Sequence, residues 1–338
     1  MNQTIPLIHQ KIIDKVKDLS TNYFCKDIGL CIYLFEYAER TNDENIKSLA
    51  EDFIERICWN LPKEISILTL TDKQEISIAI DYMIEKKYIE GDINDILYDI
   101  DITIYKEIVS NRNILKKNQD LLLSIYYCYS RLKKQFEGTD EEFILRELTI
   151  SLFNKLTHPL EDDIFEEPFF YTLHYKLPQF IFLIGKLFSL DIYNYRIKEI
   201  LKERNFQILS RIPVLHSHRL YLLWSLIIAK ESIETTIWDE HINLLYTNID
   251  FEKIVQNELT NKGLYVIDGI SSIFYFSSSL SEKSYKFPFS TELIHEKIKK
   301  TNLWKPSHWE NESLSLKNGL SGLILTILSI ENKIKTNI

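Results

Sequence analysis

Asn318-Gly-Leu-Ser-Gly-Leu-Ile-Leu-Thr-Ile-Leu-Ser-Ile330 is a small-residue turn running straight into an apolar helical segment. The pattern returns in weaker form near Ile28, Ile76, Asp120, His174, His216 and Ile267. These seven copies are spaced by roughly 40 to 60 residues, the period of an array of helix pairs rather than of strands. Each copy is apolar nearly all round, which predicts a helix buried on most of its surface.

Amphipathic segments lie between the copies. In Glu44 to Asn60, residues Ile46, Leu49, Ala50, Phe53, Ile54 and Ile57 fall three and four apart, the spacing of a helix with one buried face. Asp92 to Ile108, Asp140 to Leu156, Asn194 to Ser210, Asp239 to Val255 and Thr291 to Thr301 read the same way. The chain is therefore all-α. Alternating buried and half-buried helices suit an inner ring wrapped by an outer one, with glycines letting the inner N-termini crowd around a common axis. A large irregular bundle or an open solenoid fits the same repeat.

Hydrophobic residues make up 45% of the 338, ample for a core, and no Pro/Gly/Ser-rich linker interrupts them, so a single domain over 1–338 is expected. The net charge of -9, with Lys and Glu evenly mixed, argues against nucleic acid as a partner, which would call for a basic stripe. No apolar run reaches the roughly 18 residues of a membrane span. The start, Met1-Asn-Gln-Thr-Ile-Pro6, lacks the basic and apolar regions of a signal peptide, so the cytoplasm is the expected compartment. The four cysteines (Cys25, Cys31, Cys58, Cys128) have no metal-type spacing and read as buried free thiols.

The block Ile78 to Asp101, with Tyr-Ile-Glu-Gly-Asp-Ile at 88–93, resembles the second repeat of the lanthionine synthetase C-like family. Asn318-Gly-Leu-Ser-Gly-Leu323 is similar to its closing repeat, and the stretch from Gly29 to Glu44 to its first. The resemblance runs from about Tyr23 to Ile330, leaving 1–22 as an N-terminal helical extension. It implies an α/α toroid of seven inner and seven outer helices. It also implies thioether-ring formation in a ribosomally made peptide, with zinc activating a peptide thiol to attack a dehydrated serine or threonine.

The residues that would do this are altered. Where the family's Trp-Cys-Tyr-Gly motif belongs stands Val214-Leu-His-Ser217, so Leu215 takes a zinc-ligand position. Where Cys-His-Gly belongs stands Ile267-Asp-Gly269, so Ile267 and Asp268 take the other two. No cysteine follows Cys128, and no cofactor is expected. The family's acid–base histidine aligns with Tyr175, with His174 one residue early, and Asp120 alone matches a retained active-site aspartate. A carboxylate cannot by itself make a thiolate from a thiol of pKa about 8.5.

The expected role is a zinc-less module that binds a precursor peptide, with a dehydratase or other maturation enzyme as a possible partner. The alternative is an active thioether cyclase or other peptide-modifying enzyme using Asp120, His174 or Tyr175, His216, His218 and Asp268. A substitute metal site in that case would be His216, His218 and Asp268, an acceptable zinc or iron set. An α/α-barrel acting on sugars would instead use paired acids such as Asp120 and Asp268. Trp304 and Trp309 are candidates for stacking on a peptide, and the run Glu161 to Glu167 reads as a solvated acidic loop that would suit a basic segment.

Overall fold

A computed structural model describes residues 4–18, 25–110, 118–157, 162–259, 263–288, 293, 297 and 313–336. Among these residues all regular structure is helical: α1 (Thr4–Asp18), α2 (Ile28–Thr41), α3 (Glu44–Glu64), α4 (Leu70–Glu85), α5 (Ile93–Ser110), α6 (Asn118–Leu132) and α7 (Asp140–Thr157). There follow α8 (Lys176–Ser189), α9 (Asn194–Leu209), α10 (His216–Lys230), α11 (Asp239–Thr247), α12 (Phe251–Lys253), α13 (Ile270–Glu282) and α14 (Leu320–Thr336). No helix among the described residues is long and apolar enough to cross a membrane. The expected helix Thr291 to Thr301 lies almost wholly outside the described residues, as do Glu161, Trp304 and Trp309.

All seven copies of the repeat carry a helix, and the segments between them supply α3, α5, α7 and α9 at the expected places. Local chemistry sets the starts. The Asp43 carboxylate accepts the amides of Asn45 and Ile46, capping α3. Thr69 and Asp72 form a reciprocal capping box at α4. The expected helix Asp239 to Val255 is broken instead. After α11 the backbone turns at Asn248, and Asp250 caps a new short helix by accepting the Lys253 amide at 3.1 Å.

The backbone divides into two compact units where the sequence shows no linker. One comprises Met1–Ile102, Val255–Tyr275 and Pro288–Ile338, the other Thr103–Ile254 and Phe276–Phe287. The division falls inside α5 and α13, which is why no linker marks it. In an array each pair contacts only its neighbours, so contacts cluster without a boundary in the chain.

In the first unit, α2 packs against α3, α4 and α14, and α1 packs on α14. Ile8, Ile12, Ile13 and Val16 of α1 are buried, so the N-terminal segment is part of the core rather than an appendage. The last two repeats share one turn geometry. The Ile270 amide donates to Gly263 O and the Leu320 amide to Ser313 O, both at 3.0 Å. One residue further on, the Ser271 hydroxyl donates to Leu264 O at 2.6 Å and the Ser321 hydroxyl to Leu314 O at 2.5 Å. The two turns are joined by the Ile267 amide donating to Lys317 O. Gly322 is needed because a Cβ there would lie 2.1 Å from Leu316 O. This repeat's glycines thus let a turn fold back on its own helix, a more local reason than crowding about an axis.

The α4 helix departs from the all-apolar expectation. Lys73, Ser77 and Asp81, one turn apart each, are buried together with Gln74. Of the four thiols, all free, Cys25, Cys31 and Cys128 are buried as expected, whereas Cys58 is exposed on α3.

In the second unit, α6 packs against α7 and α8, α8 against α9 and α10, and α10 against α11. Gly185 brings α8 close to α10: a Cβ there would lie 2.6 Å from Ala229 Cα. Phe182, Trp224 and Phe276 then form a continuous aromatic contact across α8, α10 and α13.

Candidate functional site

Three connections of the second unit meet at the N-terminus of α10: residues 166–172 before α8, 211–215 before α10, and 248–250 between α11 and α12. Four side chains staple them. The Glu167 carboxylate accepts the amides of Val214 at 2.6 Å and Leu215 at 3.0 Å, placing a negative charge at the positive end of α10. It also lies 2.9 Å from Nδ1 of His218, whose side chain is fully buried. The other ring nitrogen, Nε2, lies 3.3 Å from the Thr172 amide. An amide N–H only donates, so Nε2 is the bare nitrogen and Nδ1 carries the proton given to Glu167. One imidazole thereby pins both ends of the segment 167–172.

Burial pushes the Glu167 pKa up, but the hydrogen bonds from His218, Leu215 and Val214 outweigh it and hold the carboxyl below its usual range. The rings of Tyr175 and Tyr171 pack on His218, with centroids 4.8 and 5.6 Å away. Burial, with the Glu167 charge second, raises the Tyr175 phenol well above its ordinary pKa.

Arg219 ties the remaining connections. Its guanidinium donates to Pro213 O at 2.6 Å, to Asn248 O at 2.8 Å and to Val214 O at 3.3 Å, a fork that Lys would not reproduce. Beside it, the Asp250 amide donates to His216 Nδ1 at 3.1 Å.

The structure thus gathers Tyr175, His216 and His218 at this corner, with half-buried Leu215 providing one of the amides. His174 is exposed in the turn before α8, its amide donating to the Thr172 hydroxyl at 3.2 Å. Asp120 is half-buried in the first turn of α6. Ile267 is half-buried and Asp268 exposed in the turn before α13, within the first unit. His216 opens α10 and His218 lies in the core. Positions two apart on a helix do not face each other. Among the described residues no three His, Cys, Asp or Glu side chains group as metal ligands.

No protein-family model, curated protein or solved structure matches the chain. Zinc, the group the family resemblance implies, does not fit the residues at the aligned positions. Leu215 and Ile267 offer no donor atom, leaving Asp268 alone.

Nor is His218 available for proton transfer to a ligand, since both ring nitrogens are engaged by protein and the ring is sealed from solvent. The corner is built to hold loops still. Glu167 has no distinguishing mark in the sequence, because it ends an acidic run of the kind that is ordinarily solvated. Its partner is 51 positions away, and no local pattern announces such a pair.

Proposed function

We propose that the chain is a zinc-less lanthionine synthetase C-like protein, an α/α toroid serving as a cytoplasmic binding module for a precursor peptide. A dehydratase or another maturation enzyme would act alongside it. One observation carries the binding role: at the α10 N-terminus the aligned ligand position is Leu215, which has no donor atom, and both ring nitrogens of His218 and Nδ1 of His216 are engaged in stapling loops. Those loops are left as a fixed platform. Support for the ring comes from the first and last repeats, since α14 packs on α2 and Arg40 of α2 donates to the Ser329 hydroxyl of α14 at 2.7 Å.

The test uses a Cys- and Ser/Thr-rich peptide encoded beside the gene, supplied already dehydrated. Binding by calorimetry, with the peptide thiol still open to alkylation after prolonged incubation, is the expected result. Loss of the alkylatable thiol would make the protein a cyclase, and absence of binding would remove the peptide role.

A further inference from the structure

The stapled corner carries apolar side chains on its outer side. Phe169 is 96% exposed and Phe170 72%, on the segment whose two ends are pinned by Glu167 and by the Thr172–His218 bond. Val214 (78%) and Ile212 (45%) are exposed on the adjoining connection, which Glu167 joins to the first through the Val214 amide. Isolated exposed apolar residues are ordinary, but four on two loops joined at their bases, two of them aromatic, mark an interaction surface. Holding the backbone beneath them fixed lowers the ordering cost of binding.

We infer that Phe169, Phe170, Ile212 and Val214 form the docking surface for a short peptide segment with large apolar side chains flanked by Lys or Arg. Two observations select this occupant. The four side chains expose on the order of 500 Å², short of the roughly 800 Å² per partner that a stable protein–protein interface buries. That size suits a few anchoring residues rather than a second copy of the chain. The charged residues on the two segments are Glu166, Glu167 and Arg211. Asp163 is paired with Lys176 and Glu167 is consumed by amides and His218, yet Glu166 stands exposed within an acidic run on a chain of net charge -9. Arg211 is the one cation on the two segments, so a cationic flank is favoured on the Glu166 side. The inference rests on the peptide-binding reading above and specifies the chemistry of the peptide.

Fluorescence anisotropy with two labelled synthetic peptides tests it. They share a Leu/Phe-rich centre and differ in having Lys or Glu at both ends. The Lys-flanked probe should bind, weaken as salt rises, and lose at least about tenfold in affinity to the Phe169→Ser/Phe170→Ser double variant. The Glu-flanked twin should bind about tenfold more weakly than the Lys probe. The helical circular dichroism of the double variant should equal that of the wild type, since both side chains are in solvent. Equal binding by the variant, or equal binding of both probes, overturns the inference. So does wild-type dimerisation in light scattering that the double variant abolishes, or Phe-dependent binding to anionic phospholipid vesicles with no binding of the Lys probe. If the dehydrated Cys-containing peptide binds wild type and variant alike, this surface is refuted while the precursor-peptide reading stands. If only the Lys probe binds, in a Phe-dependent way, the surface stands and that reading falls.

Discussion

Glu167 and His218 form a charge-assisted pair that each partner needs, because removing one leaves the other's buried group without its complement. Glu167→Gln should destabilise the protein by about 1–3 kcal/mol in urea unfolding at neutral pH. A cycle with His218→Gln should return a coupling of about 1–2 kcal/mol. The folded-state pKa of Glu167 is depressed, so its contribution is present above the ordinary value of 4.5 and is lost as pH falls through the lower folded value. The acid-side loss of stability should be shallower in Glu167→Gln.

His9 titrates in a different window. It is stacked on Tyr37 at 3.7 Å and bonded to the Tyr33 hydroxyl at 2.8 Å, and burial, partly offset by Asp43, lowers its pKa from 6.5 to about 4. The unfolded chain therefore takes up a proton first as pH falls. Stability should decline between about pH 6.5 and about pH 4, by at most roughly 3 kcal/mol, and level off below. His9→Gln should flatten that part of the urea-midpoint profile.

At the scale of elements, the contact of α8 with α10 depends on a missing side chain. Gly185→Ala would put a methyl against the Ala229 backbone and should cost about 1–3 kcal/mol despite alanine's better helix propensity. Ala229→Gly should restore little of it, because the nearer clash is with Cα at 2.6 Å rather than with Cβ at 2.8 Å. Thermal unfolding of the two single variants and the double variant checks this.

For the whole molecule, the resemblance and the side chains point in opposite directions on zinc. A group bound to the native state alone raises stability by mass action, about 2.7 kcal/mol at a hundredfold excess over its dissociation constant. With Leu215 and Ile267 at two of the aligned ligand positions, adding zinc or a chelator should leave the melting temperature unchanged. A rise of several degrees with zinc would show a metal site built from other residues. The α14 helix supplies core to α1 and α2, and Leu320, Leu323 and Ile324 are buried on it. Removing residues 313–338 should therefore abolish cooperative unfolding rather than trim a tail.

The helical class, the seven repeats and most helix ends were legible in the chain because they rest on short-range causes: apolar spacing, caps and small-residue turns. That Leu215 and Ile267 carry no donor atom was equally legible, being a matter of which atoms exist. The break at Asn248 was not, since it depends on Arg219, His216 and Asp250 meeting from two elements. The engagement of Glu167 was hidden for the same reason. A carboxylate in an acidic run reads as solvated until folding sets it against two amides and an imidazole 51 residues away. Sequence alone determined which helices form and which donor atoms are missing. Only tertiary structure decided which polar groups are consumed in holding loops and which apolar ones stand in water, because both depend on neighbours distant along the chain.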